Sequence, residues 1–360
     1  MELAKAQINK EKIRKSAHKV QANELIAEYY KELFAETGFA ENKAQAIKSC
    51  LKVWDIDYYR LQKVKDILRV NLCHDIFCPN CQNLISLRRY AKYKPELDKL
   101  LENYSLFHVV FTVPNCLGAS LKTTLKNMYA KFVYVVQYMQ GKRKAKGVDF
   151  KKYGFVGAIR SLEITLSKDE YHPHFHCIFV LRKDLREQRK YINDFSFHNG
   201  KFRRKFTDME LLLQKSWFLF YNGQKLTRKS LDELPIGYSV VADRANGNYK
   251  DVFKYATKGL YNSKTGAFEY SYDVFKTLYE GLHRRKIIQG YGILNKFTFE
   301  EELTKEEKDN LYNAIIDKLK EIEDPFRDYV SLNELCEEFE KREDITYISK
   351  KQIRENLKDI

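Results

Sequence analysis

Short apolar runs with β-type patterning recur along the middle of this chain. In LFHVVFTVPN apolar and polar residues alternate up to Pro114-Asn115, and further runs are GFVGAIRSLEITLS, HPHFHCIFVL and YSVVADRAN. Alternation with a period of two is typical of strands that bury one face. The second and third runs are joined only by the polar connector KDEYHP, so we predict an antiparallel hairpin that turns near Lys168 to Tyr171.

A helical pattern, with apolar residues three or four positions apart, covers most of the remaining chain. It is clear in residues 120–140 (SLKTTLKNMYAKFVYVVQYMQ) and in YKDVFKYATKGL after the last strand run, and it extends to a basic helix within residues 185–220. The order of strand, helix, two paired strands, helix, strand and helix predicts an α+β fold with a central antiparallel sheet.

The length of 360 residues exceeds the usual size of one core, so more than one structural part is expected. We divide the chain into a helical basic N-terminal arm at 1–48, a cysteine-rich segment at 49–95, a domain built on the sheet at 96–298 and an acidic helical extension at 299–360. The arm is expected to pack on the body, and gripping DNA is its alternative role.

The positive charge is concentrated in one part of the chain. The formal net charge is +15, but residues 300–360 hold 19 acidic and 11 basic side chains, which leaves 53 basic and 30 acidic ones in residues 1–299. Such an excess predicts a polyanionic partner, with nucleic acid favoured over a membrane surface. Basic runs interleaved with aromatic residues, such as KFRRKF and RKDLREQRKY, suit phosphates and unpaired bases.

Composition also predicts the compartment. No apolar run of about 18 residues is present, and the N-terminal MELAKAQINKEKIRKSAHKV lacks a secretory apolar core, so we expect a cytoplasmic protein without a membrane partner. The seven cysteines are an odd number in a long chain, which disfavours a secreted disulfide framework.

The cysteine-rich segment holds the spacing of a metal site. Cys73, Cys78 and Cys81 are close together in CHDIFCPNC, and Cys50 precedes them. Because Zn²⁺ favours four Cys or His ligands in a tetrahedron, we expect these four cysteines to bind a structural zinc ion. His74 in place of Cys50, or reduced thiols without a metal, are the alternatives.

A second candidate site lies on the predicted hairpin. His172, His174 and His176 occupy alternate positions of YHPHFHCIFV, and alternate side chains of a strand point to the same face. Two imidazoles alone leave a coordination sphere open, and Glu163 on the partner strand could add a third ligand while other positions stay free. A His-His-carboxylate set suits Mn²⁺ or Mg²⁺ at a phosphate, where the ion stabilises the transition state. The alternative is that Glu163 is an ordinary strand residue.

The helix after the last strand run offers a nucleophile. Asp251, Tyr255 and Lys258 are spaced so that they share one helical face. A tyrosine phenol can attack a phosphodiester and form a covalent intermediate. A carboxylate one turn away could accept a proton from a second attacking group, and a lysine could hold the phosphate. With 25 tyrosines in the chain, an ordinary core or surface role for Tyr255 is the alternative.

These motifs resemble those of a known family. HPHFH is similar to the HUH motif of single-strand endonucleases, and DVFKYATK is similar to the tyrosine motif of rolling-circle replication initiators, the Rep proteins of small plasmids of Gram-positive bacteria. FHVVFTVPN resembles the first motif of that family, and HRRKIIQGYG and a CP-x-C cluster followed by basic residues add to the agreement. The similarity covers about residues 50–295.

The resemblance implies an HUH nicking-joining domain with an RRM-like or ferredoxin-like antiparallel sheet. It implies a metal held by His174 and His176, with Glu163 as the third ligand, and Tyr255 as the nucleophile. Where this sequence has Asp251, the best-known branch of the family has Glu, which activates the second attack that ends a replication round; the shorter side chain puts that duty in doubt. His172 is expected to contact DNA or to support its neighbours.

The implied activity is nicking of one origin strand, which leaves a 5′-phosphotyrosine and frees a 3′-OH for a polymerase. The implied substrate is single-stranded or extruded origin DNA. A host helicase, polymerase and single-strand-binding protein are the partners expected from the family, in the bacterial cytoplasm, and a homodimer is left open.

Three other functions fit parts of the sequence. An HUH transposase or a relaxase shares the chemistry, although the KYATK helix and the cysteine cluster favour a plasmid initiator. A histidine-triad nucleotide hydrolase would use the middle histidine as its nucleophile. The third is a zinc-containing DNA-binding protein without catalytic activity.

Overall fold

The computed structural model describes most of the chain and groups it into two compact units. The described residues are 7–10, 13, 20–167, 169–182, 189–197, 200–245, 247, 249–253, 269–295 and 305–350. The first unit draws on Met1–Leu84, Tyr261–Glu269 and Thr298–Ile360, and the second on Ile85–Leu260 and Tyr270–Phe297. The four-segment division stays a prediction.

The described elements are helices and strands that are mixed along the chain. The helices are α1 (Val20–Thr37), α2 (Glu41–Lys48), α3 (Pro79–Leu101), α4 (Gly118–Met139), α5 (Asp208–Tyr221), α6 (Arg228–Glu233), α7 (Tyr272–Leu282), α8 (Lys305–Lys320) and α9 (Leu332–Lys341). The strands are β1 (Val53–Tyr59), β2 (Val64–Val70), β3 (Tyr104–Thr112), β4 (Cys116–Leu117), β5 (Phe155–Ser167), β6 (Glu170–Arg182), β7 (Arg189–Phe197), β8 (Gly200–Thr207), β9 (Val240–Arg244), β10 (Ile288–Gly292), β11 (Phe326–Ser331) and β12 (Thr346–Ile348). Short 3-10 helices occur at Lys151–Tyr153, Lys250–Phe253 and Ile293–Asn295.

The second unit is built on an antiparallel sheet. Its strands lie in the order β10-β5-β6-β3-β9, and β4 also pairs with β6. Every one of these pairs is antiparallel. The predicted α+β fold with an antiparallel sheet is therefore confirmed, and β5 and β6 form the predicted hairpin, each 13 residues long.

The two faces of this sheet have different roles. On one face Phe111, Phe175 and Phe179 pack together with Phe132 of α4 and Trp217 of α5, through edge-to-face and tilted ring contacts. Aromatic pairs in such geometry add to the stabilisation that area burial provides. Through these contacts α4 and α5 cover this face of the sheet.

The other face carries a buried cluster of its own. This cluster joins Ile159, Ile178 and Val180 with Leu97 of α3 and with Phe253 of a 3-10 helix. Ile178 and His176 point to the same side of β6, because alternate residues of a strand do so. The histidine pair thus lies next to this cluster on the same face.

The first unit contains a four-stranded sheet in the order β11-β1-β2-β12. β12 runs parallel to β2, whereas the other two pairs are antiparallel. A buried cluster of Tyr59, Val64, Ile348 and three α8 residues fills the core beside it. The tail beyond residue 300 therefore contributes two strands, which corrects the prediction that this tail is only helical.

A second correction concerns residues 185–220, where the sequence predicts a basic helix. The structure has a two-stranded hairpin, β7 and β8, before α5. α5 begins after Thr207, whose hydroxyl accepts a hydrogen bond from the Glu210 N–H while the Glu210 carboxylate accepts one from the Thr207 N–H. This capping box sets the start of the helix, and strand pairing overrides the local helical spacing before it.

Candidate active site and cysteine cluster

The β5–β6 register brings the predicted metal ligands together. Glu163 lies directly opposite His174, and Ser161 lies opposite His176. Paired residues of an antiparallel ladder point to the same face, and residues two apart do so as well. Glu163, His174 and His176 therefore project from one face of the hairpin, as the sequence predicts.

Their donor atoms converge. Glu163 Oε2 lies 3.2 Å from His174 Nε2 and 2.6 Å from His176 Nε2. One donor atom from each of the three residues lies within 4.8 Å of the others. Glu163 is 4% exposed, so its carboxylate sits at the bottom of the group while the imidazoles are partly exposed.

Hydrogen bonding determines which nitrogen of His174 faces the carboxylate with a lone pair. His174 Nδ1 lies 3.2 Å from the carbonyl oxygen of His172. A carbonyl oxygen only accepts, so Nδ1 is the donor, and in the neutral ring Nε2 then carries no proton.

The contact between His176 and Glu163 also indicates that a cation or a proton lies between the two side chains. His176 Nε2 is buried and makes no hydrogen bond to any residue that the structure describes, although Glu163 Oε2 is close. Lone pairs that face each other are repulsive unless a cation or protons lie between them. The three residues therefore fit a divalent cation with oxygen and imidazole ligands.

The carboxylate keeps its charge in this setting. Burial acts to raise the pKa of the Glu163 carboxyl, but without a metal, hydrogen bonds from the Nε2–H groups of protonated His174 and His176 outweigh burial and hold that pKa well below its usual range. An anionic ligand is thus present over the whole physiological pH range, which favours cation binding.

Strand β3 adds two residues that the sequence reasoning missed. His108 Nε2 lies 2.9 Å from His176 Nδ1, and the Thr112 hydroxyl oxygen lies 2.8 Å from His172 Nε2. Both belong to FHVVFT, in which alternate residues share a face. The alternating pattern therefore places His108 and Thr112 on one strand face, but only the pairing of β3 with β6 shows that this face also carries the histidines of β6.

The predicted nucleophile helix is described only at its start. Asp251 belongs to the 3-10 helix Lys250–Phe253, whereas Tyr255 and Lys258 lie outside the described residues. The common helical face of these three residues stays a prediction.

The 3-10 helix is anchored beside the histidine face. Phe253 stacks on Tyr93 with ring centroids 5.4 Å apart and meets Tyr90 edge-on at 6.1 Å. The Ser86 hydroxyl donates a hydrogen bond to the Phe253 carbonyl oxygen. Phe253 also shares its buried cluster with Ile178, and the 3-10 helix contacts β5 and β6. Phe253, the last described residue before Tyr255, thus lies on the face that carries His176.

The first unit brings the four predicted cysteines together. The sulfur atoms of Cys50 and Cys81, of Cys73 and Cys81, and of Cys50 and Cys78 are each 3.6 Å apart. Four sulfurs bound about 2.3 Å from one zinc ion would be separated by about 3.8 Å. All four are free thiols, so the arrangement fits a tetrahedral metal site rather than a disulfide.

The fold also distinguishes Cys50 from His74. The Cys50 side chain is buried within the group, whereas the His74 side chain is exposed and His74 takes part through its backbone N–H, 3.3 Å from Cys81 Sγ. His74 adopts a left-handed backbone with φ of 54°, which turns this N–H toward the sulfur. Cys50 is therefore the fourth member of the cluster.

A buried carboxylate braces the cysteine loop. Asp75 accepts hydrogen bonds from the Tyr30 hydroxyl at 3.0 and 3.1 Å and from the Phe77 N–H at 2.8 Å. Lys43 of α2 forms an ion pair with the same carboxylate. These contacts tie the segment between Cys73 and Cys78 to α1 and α2.

Comparison with known proteins agrees with the motifs. Residues 64–199 match the family described as "Replication protein". The resemblance to plasmid Rep proteins is confirmed. A curated relative, "Protein rep" from a Bacillus species, is 26% identical over 165 residues, which cover 44% of this chain and 50% of the relative.

The extent of these matches is limited. The chain spans about half the length of the curated Rep relative, and the family match includes Glu163, His174 and His176 but ends before Asp251. No solved structure gave a significant match. Among the helices in the described ranges, none has the length and apolarity to cross a membrane.

Proposed function

We propose that this protein initiates plasmid replication by nicking one strand of origin DNA in a metal-dependent HUH reaction. The observation that carries the proposal is the convergence of Glu163, His174 and His176 on one point of one sheet face. The similarity to replication proteins over residues 64–199 supports the substrate class.

The Glu163 carboxylate and the two Nε2 atoms would hold Mn²⁺ or Mg²⁺. Such an ion, when bound, supplies a Lewis acid that polarises the scissile phosphate. The residues of the chain would bind and orient this ion. Glu163 contributes the negative charge, and the tautomer of His174 aims a lone pair at the same point. Ligands on two long paired strands hold this geometry without large rearrangement.

Tyr255 is the proposed nucleophile. Its phenol oxygen attacks phosphorus, a tyrosine O–P bond forms, and the bond from phosphorus to the 3′ oxygen breaks. The leaving oxygen takes up a proton and becomes the free 3′-OH that a polymerase extends. The anchoring of Phe253, two residues before Tyr255, on the face of His176 supports this assignment.

Asp251 and Lys258 have supporting roles in the proposal. Lys258 would neutralise the phosphate or favour the phenolate. Asp251 would accept the proton of the second attacking hydroxyl, which releases Tyr255 and ends the round. Its carboxylate is one methylene shorter than that of Glu, so this second step is expected to be the slower one.

The cysteine cluster is proposed to bind one structural Zn²⁺ ion. Zinc with four thiolate ligands has a closed coordination sphere, which suits a structural rather than a catalytic site. The ion would lock the loop that Asp75 already braces.

The partners follow from the proposed reaction. Single-stranded or extruded origin DNA would bind through phosphate contacts of the basic residues and through stacking on exposed aromatic rings. A host helicase, polymerase and single-strand-binding protein would follow in the bacterial cytoplasm.

The histidine-triad alternative is less well supported. It needs a middle histidine whose nitrogen is presented to substrate as a nucleophile, whereas His174 Nε2 lies against the Glu163 carboxylate. The transposase and relaxase alternatives share the chemistry, and the replication protein match favours the initiator.

The test uses circular single-stranded DNA and Mn²⁺. Wild type, Tyr255→Phe and the control Tyr261→Phe are incubated with this DNA, and the products are resolved under denaturing conditions. We expect wild type and Tyr261→Phe to form a covalent adduct whose DNA-bearing peptide contains Tyr255. Tyr255→Phe should bind the DNA with unchanged affinity but form no adduct.

The alternatives predict different results. An adduct that persists in Tyr255→Phe refutes this nucleophile. DNA binding without any adduct in wild type refutes the nickase and favours a non-catalytic binding protein. Hydrolysis of free nucleotides that depends on His174 favours the histidine-triad reaction.

A further inference from the structure

We propose that His108 is a positioning residue that sets the tautomer and ring orientation of His176, so that His176 Nε2 can bind the cation. This inference rests on the proposed metal-dependent function and extends it to a residue outside the predicted ligand set.

The two histidines meet across neighbouring strands. In the β3–β6 register His108 lies opposite Ile178, so it is a diagonal neighbour of His176 on the same face. His108 Nε2 is 2.9 Å from His176 Nδ1, a normal hydrogen-bond distance, and the ring planes differ by 9°. The contact is therefore a directed one between ring nitrogens.

The direction of this hydrogen bond follows from the other side of the His176 ring. A metal ligand nitrogen carries no proton, so Nε2 binds a cation only when the single proton of the neutral ring is on Nδ1. That proton then points to His108 Nε2, which accepts it. Such an outer hydrogen bond fixes the tautomer of a ligating imidazole and raises its basicity.

The two ligand histidines are oriented by different means. His174 Nδ1 donates to the backbone carbonyl of His172, which no side-chain substitution removes. His176 depends on a side chain that a single substitution can replace. The metal affinity of the site should therefore respond to residue 108 although residue 108 does not reach the metal.

The primary measurement is the Mn²⁺ dissociation constant of the full chain, determined by calorimetry and by the spin-resonance signal of free Mn²⁺. His108→Phe keeps a planar ring but has no acceptor nitrogen, and we expect its dissociation constant to rise about 10- to 100-fold. His108→Gln places an amide oxygen near the former Nε2 position and should restore most of the affinity. His108→Asn, one methylene shorter, should not.

Two further readouts separate positioning from folding. Nitrogen-15 spectra of the metal-free protein should show the Nδ1–H tautomer of His176 in wild type and a mixture of tautomers in His108→Phe. His283→Phe, which removes an exposed imidazole at the end of α7, should leave Mn²⁺ affinity unchanged. If His108→Phe is unfolded, the comparison of Gln with Asn decides, since both are polar.

Equal Mn²⁺ affinity in His108→Phe and wild type, or in His108→Asn and His108→Gln, overturns the inference and leaves the proposed function intact. If wild type itself binds no Mn²⁺ that depends on Glu163, the proposed function fails, and the inference fails with it.

Discussion

Glu163 and His174 face each other directly across the β5–β6 hairpin, with Glu163 Oε2 3.2 Å from His174 Nε2. Directly opposed residues of an antiparallel pair have Cβ atoms about 4.5–5.5 Å apart, so a glutamate reaches both imidazoles of the neighbouring strand. Burial among the strands keeps the carboxylate in place. The convergence of these three possible cation ligands thus follows from the pairing of β5 with β6.

Replacing Glu163 with Gln should abolish most of the cation affinity. The amide is isosteric with the carboxylate but carries no charge, and the number of charged ligands is what tunes affinity for hard divalent cations. We expect the Mn²⁺ dissociation constant to rise at least about 100-fold, equivalent to about 2.7 kcal/mol, and adduct formation to fall in parallel.

The matched control is Glu170→Gln, at the exposed end of the same hairpin, where Glu170 accepts a hydrogen bond from Asn115. Its Mn²⁺ affinity should equal that of wild type. Unchanged Mn²⁺ binding in Glu163→Gln would contradict the assignment of this residue as a ligand.

Cys50→Ser should release the zinc that we expect in the purified protein. One Zn²⁺ per chain is expected in wild type by elemental analysis, and less than about one tenth of that in the variant. Since metal binding contributes directly to folding free energy, the free energy of unfolding should fall by at least about 3 kcal/mol.

Cys116→Ser provides the comparison, because Cys116 belongs to the second unit and is absent from the cysteine cluster. It should retain zinc and stability. A Cys50→Ser protein with full zinc content would indicate that three cysteines and another ligand hold the ion. Wild type without zinc would support the alternative that the cysteines are reduced thiols without a metal.

A buried acid in the first unit should make stability depend on pH. Burial, opposed by the hydrogen bond from Tyr312, raises the pKa of Asp66 from 3.8 to about 6. The folded state thus favours the protonated form, so its contribution to stability is complete below about pH 4 and is lost as pH rises through about 6.

Asp66→Asn should remove this loss of stability at neutral pH. At pH 7 we expect the variant to be more stable than wild type by up to about 3 kcal/mol, because each unit of pKa shift corresponds to about 1.4 kcal/mol. At pH 4 the two should be alike. Denaturant unfolding at several pH values measures the difference, and parallel pH profiles for the two proteins would contradict the prediction.

Patterns of short range were enough to predict much of the candidate active site. A period of two predicts β6 and puts His174 and His176 on one face, and the short connector predicts the hairpin that brings Glu163 to them. Likewise, the close spacing of Cys73, Cys78 and Cys81 predicts a metal cluster. These features depend on residues that are a few positions apart or joined by one short turn, so interactions between neighbours in the sequence determine them.

The remaining features depend on contacts between distant parts of the chain. Only the pairing of β3 with β6 brings His108 to His176, and only packing in the first unit buries Cys50 beside Cys81 while the His74 side chain stays exposed. The strands β11 and β12 likewise form because β1 and β2 offer them partners. Strand pairing satisfies backbone groups across long sequence separations, and no local pattern of residues encodes which partner will be there.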